Sequence, residues 1–387
     1  MHLLSHHGGC PVPMEKLTMI SKQGGIPGLL AMAMLVLLNT MTVSQGTKRS
    51  SHAGVRSKYP QQRVISLYRL PIRYAAMAFS PDGRTLYAGS SDIMAFRVSD
   101  GRRIWKRSDY YVIQCAVSPR GRLLATVGHF KHKPAPKTDE RLYRYERNRI
   151  TLWDLRSHKA VKTFGKDCES IAFSPDETKV VVGGGGDVMI YKVPSGRMVY
   201  RLSDVGGSIH YTAFSPNSRQ FALLSTAGDT GYTDGLVFDL HASPRQNGVG
   251  GEGYIESNGM MGGPLFFLAR GRYVVVGNSL LDLHRRHPTF QRLLPLKNRQ
   301  CVGAFPPRKD AALFLTGSYL EVWDVIHKKR LYQWTGLPDI TSLYGKERLS
   351  ERIAISRDGK TLAYSDDVSV RLYRLPTVPT ATSLHGR

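Results

Sequence analysis

Cysteine is scarce, with Cys10, Cys115, Cys168 and Cys301 the only four in 387 residues, and no pair has Cys-x-x-Cys spacing. Beyond residue 46 three remain, an odd number, so neither a disulfide framework nor a zinc site is specified. Buried small apolar side chains are the simplest account of them. Acidic residues are also few: 30 Asp and Glu face 54 Lys and Arg, a net charge of +24. Such a surplus attracts nucleic acid, anionic polymers or anionic lipid headgroups and chooses none of them. Catalytic signatures are missing as well. There is no HExxH, no GxSxG, no P-loop and no Cys or His cluster with metal-ligand spacing. No catalytic residue, metal ligand or cofactor is therefore assigned.

An apolar run is present, but a short one. Ile26 to Leu38 is uncharged, follows Lys16 and Lys22, and leads into small polar residues through Gly46. Alone it is shorter than the roughly 20 residues of a spanning helix, and its layout resembles an export signal. Extended through Val43 it becomes an uncleaved anchor instead, so the chain is expected to be secreted, periplasmic or tethered by this segment. Residues 1–46 hold two Lys and one Glu, so the basicity belongs to residues 47–387.

What the remainder has in abundance is repetition. Ala75 to Trp105 reads as a short apolar strand, a Ser80-Pro81-Asp82-Gly83 turn, a second strand, a reversal at Ser90-Ser91-Asp92, a third strand and a fourth after Asp100-Gly101. Pro presets φ in such a turn and Gly accepts positive φ. The turn serine recurs at Ser80, Ser118, Ser174 and Ser215. A third-strand register recurs too, as Ala95-Phe96-Arg97-Val98, Leu152-Trp153-Asp154-Leu155, Ile190-Tyr191-Lys192-Val193, Val237-Phe238-Asp239-Leu240, Val322-Trp323-Asp324-Val325 and Leu372-Tyr373-Arg374-Leu375, with Leu281 in the aromatic position of a further copy. Alternating apolar residues around a fixed aromatic mean a half-buried strand. A four-stranded unit cannot bury both faces alone, so copies must pack on either side. The expectation is an all-β, seven-bladed β-propeller. The last repeat is one strand short, and Arg63 to Leu70 is expected to complete it and close the ring against Val368 to Leu375; the alternative is a stray third strand, since Leu67-Tyr68-Arg69-Leu70 repeats Leu372-Tyr373-Arg374-Leu375.

Through the Ala78-Phe79-Ser80-Pro81-Asp82-Gly83 turn and the pairs Trp153-Asp154 and Trp323-Asp324, residues 61–376 resemble the WD40 family of β-propellers. Two departures stand out. The family's Gly-His pair before the first strand is absent, and two of seven third strands carry Trp-Asp. The family's Asp-His-Ser-Trp network is therefore not carried over, and inter-blade apolar packing is expected to hold the ring. The resemblance implies a non-catalytic scaffold, here expected to bind a protein or an anionic polymer. Nucleic acid is the less favoured polyanion, and membrane contact would run through the N-terminal segment if uncleaved. The alternative is a propeller enzyme of lactonase-like or quinone-dependent dehydrogenase-like type. Asp100 to Trp105 resembles the turn-plus-Trp repeat of the latter, once, and is read as an ordinary outer strand; His210 is read as structural.

The resulting division is 1–46 leader and signal or anchor, 47–60 linker, 61–376 propeller and 377–387 tail. An insert from His129 to Arg149 interrupts the second repeat with a net charge of +4. Its Lys131, Lys133, Arg141, Arg144 and Arg147 with Tyr143 and Tyr145 are the candidate binding residues, cations for an anionic partner and aromatics for stacking. Asp92, Asp187 and Asp367, each preceding a third strand, are read as turn-holding acceptors.

Overall fold

The computed structural model describes residues 56–57, 61–65, 76–130, 148–203, 205, 207–226, 233–240, 249–250, 263–285, 290–294, 299–335, 337, 351–365 and 369–376. They form seven antiparallel blades. Blade 1 comprises Ala76–Phe79, Thr85–Gly89, Ile93–Arg97 and Arg103–Arg107, in that order from inside outward. Blade 2 is Tyr110–Val117, Leu123–Phe130, Arg149–Asp154 and Lys159–Phe164, and blade 3 is Ser170–Phe173, Lys179–Gly184, Asp187–Lys192 and Met198–Leu202. Blade 4 has Ser208–Phe214, Gln220–Thr226 and Thr233–Asp239 with a two-residue outer strand, Val249–Gly250. Blade 5 is Leu265–Leu268, Tyr273–Val276, Ser279–Asp282 and Phe290–Arg292. Blade 6 runs Gln300–Ala304, Ala311–Leu315, Leu320–Asp324 and Lys329–Trp334, and Arg56–Ser57 adds a fifth, parallel strand to its outer edge.

Blade 7 closes the ring. Ile353–Ile355, Thr361–Ser365 and Val370–Arg374 supply three strands, and Gln61–Ile65 supplies the fourth, antiparallel from Gln61↔Arg374 to Ile65↔Val370. The closing strand begins two residues before the expected segment and shares residues 63–65 with it; residues 66–70 lie outside the described ones. Closure pairs two edges that would otherwise be open.

The third-strand aromatic explains why blades pack in sequence. Phe96, Trp153, Tyr191, Phe238, Trp323 and Tyr373 are all buried. Successive strand side chains point to opposite faces, so this residue and its predecessor look at different neighbours. Trp153 packs with Tyr87 and Ala95 of blade 1, whereas Leu152 packs with Ile171 and Val180 of blade 3. Tyr191 meets blade 2, Phe238 blade 3, Trp323 blade 5 and Tyr373 blade 6. Leu281 does the same against blade 4. Seven apolar clusters, one per blade interface, therefore constitute the core. Cys168 and Cys301 are buried, and burial pushes the Cys115, Cys168 and Cys301 thiols up to about 12.

Polar networks add to that packing in two blades. Trp153 donates its indole N–H to Thr126 Oγ1 at 2.9 Å, Thr126 contacts the Tyr110 hydroxyl at 3.2 Å, and that hydroxyl donates to Thr151 Oγ1 at 3.0 Å. All four residues are fully buried. In blade 6 the buried Glu321 carboxylate accepts from Arg299 at 2.7 Å, Arg330 at 3.2 Å and the Trp323 indole at 2.8 Å. The repeats thus retain a Trp-centred hydrogen bond in two blades, with Tyr110 and Thr126 or Glu321 as partners; sequence resemblance alone does not reveal these substitutes.

Candidate functional site

The central bore is bounded by the seven inner strands, and none of them carries Asp, Glu, Lys or Arg. Its described wall is apolar over blades 4 to 7, where Tyr211, Phe266, Val302, Ile353 and Ile355 bound a cavity of about 290 Å³. His210 occupies the bulge between Ile209 and Tyr211 on the inner strand of blade 4 and is half-buried. No carboxylate stands on an inner strand beside it. Among the described residues no group of three or more His, Cys, Asp and Glu is placed to hold a metal ion.

The turns between first and second strands have a common construction. The Ser80 hydroxyl donates to Asp82 Oδ1 at 2.5 Å and accepts the Thr85 N–H at 2.9 Å, while Asp82 Oδ1 accepts the Arg84 N–H at 3.0 Å. Ser174 with Asp176, Ser215 with Asn217 and Ser356 with Asp358 repeat the hydroxyl-to-side-chain bond at 2.5, 2.7 and 2.6 Å. The Ser80 hydroxyl is the main cause holding the Asp82 carboxyl below its ordinary range. At Asp176 and Asp358 burial pushes upward, but the serine hydroxyls and backbone N–H groups together outweigh it. Positive φ is taken by Gly83, Gly121 and Gly359, and by Glu177 and Ser218 where glycine is missing.

These turns touch around the ring. A Cβ at Gly121 would meet Pro81, one at Gly271 would meet Pro216, and one at Gly359 would meet Pro307. Ser218 Oγ accepts the Asp176 N–H at 3.3 Å, and Glu177 accepts the Arg120 N–H. In every blade, moreover, the residue just after the third strand donates its N–H to the last turn residue before the second strand: Val98 to Arg84, Leu155 to Arg122, Val193 to Thr178, Leu240 to Arg219, Leu283 to Arg272, Val325 to Asp310 and Leu375 to Lys360. That bond makes the seven positions equivalent. Five of them hold Arg or Lys.

Among the described residues charge is distributed unevenly between the two faces of the ring. In an antiparallel blade the first-to-second and third-to-fourth connections lie on one face, and the second-to-third connections and blade linkers on the other. Among the described residues, connections on the first face carry fifteen Lys and Arg against six Asp and Glu; those on the second carry three against five. Arg122, Arg219, Arg270, Lys309 and Arg357 are not engaged in any salt bridge among the described residues. All five are exposed.

The sequence-based candidates fall elsewhere. Lys131, Lys133, Arg141, Tyr143, Arg144, Tyr145 and Arg147 lie outside the described residues, as do Asp367 and the apolar run Ile26 to Leu38. What is described is the stem of the insert: Gly128 pairs with Arg149, and His129 Nδ1 lies 3.0 Å from Asn148 Oδ1. Asp92 and Asp187 have structural roles that include ion pairs. Each reaches across to the outer strand, Asp92 to Lys106 at 2.9 Å and Asp187 to Arg201 at 2.5 Å, because the outer strand places a long cation diagonally opposite. Trp105 packs edge-on to Trp153 at 5.7 Å and stacks on His158 at 5.0 Å, as an outer-strand residue should. The cationic face was missed as a site. Its signal was available in the Arg or Lys that follows the turn glycine at Arg84, Arg122, Arg272 and Lys360.

No protein-family model matches the chain, and no curated protein matches it by sequence. Solved structures do. That of U3-55K is 14% identical with a TM-score of 0.56, covering 81% of this chain and 98% of its own. The RRP9 WD40 repeats are 14% identical with a TM-score of 0.57, covering 82% and 100%. At that identity the likeness is one of fold, and the fold of this chain is the seven-bladed propeller of WD40 repeat domains.

Proposed function

We propose that this propeller is a non-catalytic binding scaffold whose loops hold a protein or an anionic polymer. The observation that carries the reading is the contrast between an uncharged bore and a strongly cationic exterior. Acid-base or metal-assisted chemistry in the bore would need carboxylates or clustered ligands beside His210, and the inner strands offer none. A rigid ring with seven packed interfaces suits display of loops instead. The likeness to WD40 repeat domains supports the same reading at the level of fold.

The insert is the first contact surface to test. Its stem is closed by the Gly128–Arg149 pair, so replacing Lys131 to Glu146 by a short Gly-Ser bridge leaves the blade 2 ladder intact. The expected outcome is unchanged melting with earlier elution from heparin as salt rises, since each lost cation contact reduces the salt slope. Retention equal to that of the unmodified protein would place the polymer contact elsewhere and remove the insert from this role.

A further inference from the structure

We propose that the face formed by the first-to-second and third-to-fourth turns docks on an anionic lipid surface. This inference goes beyond the scaffold reading and uses none of the insert. Three observations converge on it. First, the fifteen cations of this face come from all seven blades, from Arg84 in blade 1 and Arg122 in blade 2 to Arg357 in blade 7. A linear polymer following one arc would meet a few of them; a planar array of headgroups meets them together. Second, the first-to-second turns are uniformly short, four to six residues each, and are pinned by the sevenfold N–H bond from the end of the third strand. Of the cations in those seven turns, Arg272 is held by Asp282 and Arg120 lies 3.9 Å from Glu177, while Arg122, Arg219, Arg270, Lys309 and Arg357 are exposed and outside any salt bridge among the described residues.

Third, the face lacks what other partners require. Among the described residues the exposed large apolar side chains are Ile104, Val161, Met198 and Val199 on outer strands and Tyr319 on the opposite face. Without an exposed large aromatic among its described residues, the face shows no platform for stacking bases and no anchor for a protein hot spot. What is left is charge alone. Arginine dominates it, and its planar fork suits phosphate oxygens. Charge-only attachment is reversible, needs anionic lipid and fades within a Debye length as salt rises.

The test uses the full chain and vesicles of phosphatidylcholine, alone or with phosphatidylserine, in a sedimentation assay at low and physiological salt. The readout is the ratio of partition onto anionic over neutral vesicles, which cancels any insertion by the apolar run Ile26 to Leu38. The variant is the fourfold reversal Arg122→Glu, Arg219→Glu, Lys309→Glu and Arg357→Glu, with melting measured to confirm that it folds. Each cation near an anionic bilayer contributes about fivefold in partition, so the ratio should fall by at least roughly a hundredfold. The protein lacking Lys131 to Glu146 should keep its ratio. A ratio near one for the unmodified protein, or one that survives the reversal, overturns the proposal. So does a ratio lost only when the insert is deleted. Retention on heparin or duplex DNA at salt that releases the vesicles, kept when the insert is deleted and lost on the fourfold reversal, assigns this face to a polymer and likewise sinks it.

Discussion

Asp82, Asp176 and Asp358 do at their turns what Asn217 does without a charge. Each side-chain oxygen accepts the serine hydroxyl and a backbone N–H two residues on, and in blade 4 the amide makes both bonds at 2.7 and 3.0 Å. The difference lies in acid. A carboxyl whose folded value is lowered stabilises the fold fully above its unfolded value, about 3.9, and loses that contribution as pH falls through the lower folded value. The three turns should therefore weaken together on the acid side while the Asn217 turn does not. Replacing all three by Asn should flatten the pH dependence of the melting temperature below about pH 4 and leave the neutral-pH geometry of the turns alone. An acid limb as steep as before would show that other carboxylates control acid unfolding.

Among the elements, the outer strands behave most individually. Bulges fall after the same step in blades 1, 2, 3 and 6, leaving Ile104, Val161, Val199 and Leu331 outside the ladder. Lysines at Lys159 and Lys162 further blunt an open edge. In blades 6 and 7 the edge is covered by the N-terminal segment, but to unequal extent: Arg56–Ser57 pairs over two residues, and Gln61–Ile65 over five. Removing the chain through Ser57 should change melting little. Removing it through Ile65 exposes Val370–Arg374, and should lower the melting temperature markedly and promote aggregation at that edge. Equal melting for the two truncations would mean that closure by Gln61–Ile65 does not hold the ring. The third strands were legible in the sequence, because a buried aromatic at fixed register marks six of the seven copies, with Leu281 in its place in blade 5. Blade 4's outer strand was not, since Val249–Gly250 has too few side chains to make a pattern.

For the whole molecule, net charge was legible and its placement was not. Arg84 and Arg357 are far apart in sequence, yet Gly83 lies against Ser356 where the first blade meets the last, 3.5 Å from a Cβ built on it. Which turns share a face depends on ring closure, which no local window contains. The interfaces are also unequal in strength. Blade 2 has two eight-residue strands and the buried Trp153–Thr126–Tyr110 chain of hydrogen bonds. Blade 5 has no strand longer than four residues, and Leu281 stands where other blades place an aromatic. Local opening is favoured where buried contacts and protected backbone bonds are fewest. Amide exchange should accordingly be fastest, among central strands, in Tyr273–Val276 and Ser279–Asp282, and slowest in Leu123–Phe130 and Arg149–Asp154. Hydrogen exchange read by mass spectrometry at the peptide level resolves these segments. Should all four exchange at one rate, the ring opens as a single cooperative unit, and the short strands of blade 5 are no weak point in it.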